Sequence, residues 1–227
     1  MLKFTPILMA ILWAWAMYRF SVWRTGRELD AKSTPLRDPQ LQALTGRMAD
    51  VLELSNIPVF VYEIEPVNGL AAPDGRIFVT RGFLNKYLRG EVSAPELVSV
   101  IAHELGHVAL GHSRRRMIDF SGQNAIRTAL GMVLGRVLPG VGYYLAGLLT
   151  TMLAARLSRQ DEYEADAYAS ALLIKAGIGV AAQKSLFTKL DGLQSGGGGQ
   201  LAWLMSHPKT DQRIRAIEAR EAAWQGG

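Results

Sequence analysis

Cysteine is absent from the 227 residues, which excludes disulfides and thiolate metal ligands and leaves the compartment open. Any metal ion that the chain holds must rest on nitrogen and oxygen. No Walker-type GxxxxGK[ST] sequence is present, which speaks against a nucleotide partner and against a chain that powers the unfolding of other proteins. A nucleic-acid motif is missing too. Lys and Arg number 25 against 20 Asp and Glu, a net charge of +5, but no combined aromatic and basic binding pattern accompanies that excess. An anionic membrane surface accounts for it better. With 49% hydrophobic residues the chain can bury one substantial core but hardly two, so the economical organisation is one domain plus an anchor.

What is present is concentrated at His103-Glu104-Leu105-Gly106-His107. Residues four apart share a helical face about one turn apart, so His103 and His107 can aim two imidazoles at a single ion. Glu104 projects beside that face, where a carboxylate acts as a base and not as a ligand. The context predicts a helix. Ser93, Pro95 and Glu96 read as a helix start with a capping box, and Leu97, Val98, Val100, Ile101, Leu105, Val108 and Leu110 supply a buried surface. Histidines on a solvated amphipathic helix would lie on a polar face. These are embedded in an apolar run, where uncompensated polar groups are costly.

A zinc enzyme needs three protein ligands and one open position, so a further ligand must come from elsewhere. His112 is nine residues from His103, on the opposite side of the same helix, and it does not fit HExxHxxGxxH; it reads as a helix-end residue. The better candidate lies in Ser158-Arg159-Gln160-Asp161-Glu162-Tyr163-Glu164-Ala165-Asp166. Glu162 and Asp166 share a helical face. Glu162 is expected to bind zinc, and Asp166 to accept a hydrogen bond from a ligand histidine and fix its tautomer. Asp161 and Glu164 suit a solvated acidic face.

The two segments resemble the HtpX-like, CAAX-prenyl-protease-like family of membrane-associated zinc metallopeptidases, within the gluzincin class. The resemblance covers most of the chain. Asn68-Gly69-Leu70-Ala71-Ala72-Pro73-Asp74-Gly75-Arg76-Ile77-Phe78-Val79-Thr80-Arg81-Gly82 is similar to the family's segment before the catalytic helix, with Gly69-Leu70 where the family commonly has Ala-Phe. Ser206-His207-Pro208 followed by Arg213-Ile214 is similar to its C-terminal signature. The resemblance implies an α+β, mainly helical, zincin-type domain with a small sheet next to the HExxH helix, one zinc ion per chain, and cleavage of unfolded or membrane-associated proteins in quality control. It also implies that the edge of the sheet, at Asn68, Gly69, Leu70 and Ala71, lies beside the zinc; an edge strand offers unpaired backbone groups, so an extended substrate is expected to bind there by strand addition, the alternative being an ordinary hairpin loop. The rival class is a non-catalytic zinc-bound module, a membrane-associated binder or chaperone. Intact Glu104 argues against it.

Elsewhere, Phe4 to Val22 is almost wholly apolar, a marginal transmembrane length with Trp, Tyr and Arg19 suited to an interface. An N-terminal transmembrane anchor within residues 1–30 is expected, with the catalytic domain at 36–227. Flanking charges weakly favour a cytoplasmic domain. The alternative is a signal peptide cleaved after Ala14-Trp15-Ala16, giving a periplasmic or secreted protein. Ala31 to Pro39 reads as a linker, Asp38-Pro39 opens a helix to about Leu54, and 59–64 and 76–80 read as strands. Residues 125–157 read as an apolar helical hairpin that packs on the core or dips into the bilayer, its second arm continuing into the helix of Glu162 and ending near Lys175. Helices follow at Val180 to Leu193 and from Thr210 to about Trp224, and Ser195 to Gly199 is a flexible linker. His207 lies just beyond that linker. A fourth protein ligand closes a zinc site, so His207 is a candidate inhibitory ligand that must leave before substrate enters; the plainer alternative is that it packs beside Pro208 or helps orient substrate.

Overall fold

The structure is a computed structural model, and it describes residues 5–72, 74–112, 130–195, 207 and 210–225. Its elements are α1 (Thr5–Ala31), β1 (Ser33–Pro35), α2 (Pro39–Val51), β2 (Val59–Tyr62), β3 (Gly69–Ala71) and β4 (Ile77–Thr80). Then come α3 (Arg81–Leu88), α4 (Ala94–Ala109), α5 (Gly142–Lys175), α6 (Ala181–Ser195) and α7 (Thr210–Gln225). The fold is mainly helical with one small sheet, as expected. The chain divides into two compact units, one of Met1–Ala31 and His112–Gln160, the other of Lys32–Gly111 and Asp161–Gly227.

The second unit holds the sheet, in the order β1-β2-β4-β3. β2 and β4 run parallel, with Val59 opposite Ile77 and Tyr62 opposite Thr80, while β1 and β3 pair antiparallel on the two outer sides. β-branched and aromatic side chains suit these central strands, and Ile77, Phe78 and Val79 are wholly buried. β1 corrects the expected linker at 31–39. Leu36 N–H donates to the Val59 carbonyl at 3.0 Å and continues the β1 pairing with β2. Three residues are too few to show a period of two, and Pro35 is tolerated because an outer strand need not donate on both sides.

Asp38 caps α2, its carboxylate accepting from Leu41 N–H at 2.9 Å. The helix stops at Val51, short of the expected Leu54, where Glu53 turns to a left-handed φ of 55°. α3 was not read from the sequence. Its cap is Thr80, the last residue of β4, whose hydroxyl accepts from Phe83 N–H at 3.3 Å, so strand and helix share a residue. α4 starts as expected. The Ser93 hydroxyl accepts from Glu96 N–H at 3.4 Å and the Glu96 carboxylate accepts from Ser93 N–H at 2.7 Å. Glu96 also receives Lys189 at 2.8 Å and Ser185 at 2.6 Å, tying the start of α4 to α6. Leu97, Val98, Val100, Ile101 and Ala102 are almost wholly buried and make α4 the centre of the core.

α4 meets α5 at Gly106. A Cβ there would lie 2.9 Å from both the Cα and the carbonyl oxygen of Ala165. Only glycine permits that approach, and it brings the histidine face of α4 against the face of α5 that carries Glu162 and Asp166. α5 ends at Lys175 as expected, with Gly177 at φ 66°. Asp161, read as solvated, is 5% exposed.

In the first unit α1 extends past the expected Val22 to Ala31, and α5 begins at Gly142. Gly142 sits against the backbone of Leu134, where a Cβ would meet the carbonyl at 2.2 Å, so the chain turns tightly between residues 134 and 142. The N-terminal part of the expected hairpin, 125–129, lies outside the described residues, as do Arg114-Arg115-Arg116 and the linker at 196–199. Among the described residues no helix is long and apolar enough to cross a membrane.

Candidate metal centre

The spacing that places His103 and His107 on one face of α4 is realised with both rings buried, and their Nε2 atoms lie 3.1 Å apart. From α5, Glu162 brings Oε2 to 3.3 Å from His103 Nε2 and Oε1 to 3.5 Å from His107 Nε2. His207 completes the group. Its Nδ1 lies 2.5 Å from Glu162 Oε2 and 3.3 Å from His103 Nε2. One donor atom from each of the four residues falls within 4.8 Å of all the others, and the four side chains are buried. Such a cluster can hold a metal ion. Glu104 stands beside it, 3% exposed, with Oε1 3.6 Å from His207 Nε2.

Asp166 Oδ1 lies 2.9 Å from His103 Nδ1. A carboxylate only accepts, so Nδ1 carries the proton, and when the ring is neutral its lone pair is on Nε2, toward the cluster. Burial opposes charge on His103, but the hydrogen bonds to Asp166 and Glu162 outweigh it and raise its pKa to about 9. His207 goes the other way. Burial pushes it down to about 4, against the pull of Glu162. Burial would raise both carboxylates, yet Glu162 is held far below the usual carboxylate range by His103 and His207, and Asp166 by Arg213 and His103.

The expected substrate segment forms the outer strand β3, which packs beside α4. Thr80 N–H donates to Asn68 O and Ala72 N–H to Arg76 O, both at the ladder positions flanking the Leu70–Phe78 pair. Antiparallel alternation then turns the N–H and C=O of Gly69 and Ala71 to the outer edge. Asn68 differs from a free contact residue: its Oδ1 accepts from Gly69 N–H at 3.0 Å. Of the two outward donors, the one on Ala71 is the other.

Arg213, quoted in the sequence only as part of a signature, proves central. Its Nε and Nη2 donate to Asp166 Oδ2 and Oδ1 at 2.6 and 2.7 Å. The guanidinium also lies 4.4 Å over the Phe187 ring. Ser170 and Gln183 went unread as well: the Ser170 hydroxyl donates to the Asp166 carbonyl at 2.7 Å, and its oxygen lies 2.8 Å from the Gln183 side-chain amide.

Two histidines one turn apart, a glutamate from a second helix and a further carboxylate beside them are the donor pattern of a metallopeptidase. The model of Peptidase family M48 matches residues 35–221, and the chain belongs to that family; it is a metalloendopeptidase. Metalloprotease LoiP of Escherichia coli is 33% identical over 203 residues, 87% of this chain and 77% of that protein. Metalloprotease YcaL of the same organism is 31% identical over 163 residues, 72% of this chain and 61% of that protein. The mitochondrial metalloendopeptidase OMA1 of Danio rerio is 28% identical over 192 residues, 78% of this chain and 38% of that protein. The fold is similar to that in the crystal structure of S. mikatae Ste24p, with a TM-score of 0.53 at 20% identity over 90% of this chain and 58% of that one. The chain thus spans less than two thirds of YcaL, OMA1 and Ste24p.

Proposed function

We propose that the chain is a membrane-attached, zinc-dependent endopeptidase that cleaves unfolded or flexible protein segments in quality control. The observation that carries this is the convergence of donors from His103, His107 and Glu162 next to the Glu104 carboxylate. Donor spacing supports zinc. Ligand distances of about 2.0–2.2 Å in a tetrahedral set imply donors roughly 3.3–3.6 Å apart; the separations among His103, His107 and Glu162 are 3.1, 3.3 and 3.5 Å, whereas His207 Nδ1 lies at hydrogen-bond distance, 2.5 Å, from Glu162 Oε2. A set of imidazoles and one carboxylate also suits that metal, and no cysteine competes.

Bound there, zinc supplies a Lewis acid that polarises the scissile carbonyl and acidifies the attacking water. His103 and His107 hold it through Nε2, and Glu162 through its carboxylate. Asp166 keeps the His103 proton on Nδ1 and the lone pair facing inward. Glu104 takes the proton of the attacking water and returns it to the amine nitrogen of the departing peptide. The outer edge of β3 aligns an extended substrate through Ala71 and Gly69, with Asn68 yielding the Gly69 N–H as the substrate strand pairs. His207, as a fourth donor, makes the resting site latent and leaves before substrate enters.

Membrane attachment is supported by the first unit, where Trp13, Trp15, Trp23, Val137, Tyr144 and Met152 are all more than half exposed. The function is tested with Glu104→Gln: the variant binds one zinc per chain like the wild type and cleaves no unfolded protein. His103→Ala, His107→Ala and Glu162→Ala each lose the metal. Retained cleavage by Glu104→Gln would sink this assignment.

A further inference from the structure

We propose that Arg213 is a positioning residue that couples the orientation of His103 to the seating of His207. The inference rests on the zinc-site reading and deepens it. Arg213 is 2% exposed, so each of its nitrogens must find a partner inside the protein. Two of them grip Asp166, at 2.6 and 2.7 Å, and the same carboxylate takes the Nδ1 proton of His103 at 2.9 Å. The third, Nη1, donates to the backbone carbonyl of His207 at 3.4 Å and lies 3.6 Å from Glu162 Oε2. One rigid plane therefore touches the carboxylate that aims His103, the carboxylate that faces the donors, and the backbone carbonyl of His207.

The plane is itself fixed. Phe187, 3% exposed, stacks at 4.4 Å under the guanidinium. Asp166 is pinned from behind, since its own carbonyl accepts the Ser170 hydroxyl and Ser170 is held by Gln183. A backbone movement that carries His207 out of the cluster takes its carbonyl away from Nη1. That departure frees a donor on the group that orients His103, and the two events are coupled through one side chain. Lysine cannot do this, because a single ammonium has no fork to span Asp166 and a backbone carbonyl together.

Zinc affinity by chelator competition on the full chain decides the matter. Arg213→Met should weaken zinc by about 10- to 100-fold, the usual loss when the partner of a ligand histidine is disturbed. Arg213→Lys keeps the charge and recovers only part of that loss. In the Arg213→Met background, His207→Ala should change affinity less than it does in the wild type, because the ring is already unseated. Circular dichroism of the metal-free chains shows whether each variant folds. Wild-type affinity in Arg213→Met, or effects of Arg213→Met and His207→Ala that combine independently, would overturn the coupling and leave the zinc site standing. Should Arg213→Met not fold, wild-type affinity in Arg213→Lys overturns it instead. A wild-type chain that takes up no zinc, or a His103→Ala chain that keeps it, overturns both readings.

Discussion

At the scale of single residues, His207 is the proposed latch of the centre. Its ring is buried, which pushes its pKa down to about 4, and with Nδ1 2.5 Å from the Glu162 carboxylate the proton of the neutral ring lies on Nδ1. A latch and a substrate contact differ in the sign of one mutation. His207→Ala should raise turnover of an unfolded test protein at saturating zinc; turnover at or below the wild-type value would remove the latch. His103, raised to about 9 by its carboxylate partners, would have to give up a proton to the proposed zinc. The legibility of these residues follows from distance along the chain. His103 and His107, or Glu162 and Asp166, are four apart and announce a shared face. Arg213 meets His103 across 110 residues and Asp166 across 47, and a charged residue on a polar helix ordinarily reads as solvated.

Elements meet here at two contacts that can be tested. Gly106→Ala puts a methyl group 2.9 Å from the backbone of Ala165, and backbone cannot rotate away. Overpacking of this kind costs about 1–3 kcal/mol, a fall in melting temperature of roughly 2–12 °C. It should also weaken zinc, because α4 carries two donors and α5 the third; a variant with wild-type melting and affinity would refute the packing argument. Glu96 makes the other contact. Burial would raise its pKa, but Lys189, Ser185 and Ser93 hold it below the ordinary 4.5. A depressed carboxylate stabilises the fold above its unfolded pKa, and that contribution disappears as pH falls below about 4.5 through the folded value. Glu96→Gln should therefore melt lower at pH 7 and show a smaller drop between pH 7 and pH 4 than the wild type; an unchanged drop would refute the linkage. The capping box and the helix starts were legible because side chains three residues apart make them. β1 and α3 were not: one is three residues long, and the other borrows its cap from a strand.

For the whole molecule, the chain leaves the unit that holds the metal centre at Gly111 and returns at Asp161. The sequence shows an apolar N-terminus and an apolar middle, but nothing in either stretch reveals that they belong to one compact unit, because contacts between distant segments leave no periodic trace. Full-length protein should sediment with membranes and resist carbonate extraction. A chain begun at Lys32 should fold, whereas one begun at Leu36 lacks β1 and bares the side of β2 that β1 covers, so it should melt lower. Equal melting temperatures would mean that β1 contributes nothing.

His103 and His207 lie 104 residues apart, and His103 and Arg213 lie 110 apart. A chain made at about 5–20 residues per second exposes its catalytic helix roughly 5–20 s before the arginine that finishes the centre. Until Glu162 is made the nascent protein carries a base and two imidazoles without the third donor, and until His207 is made that donor set has no fourth member.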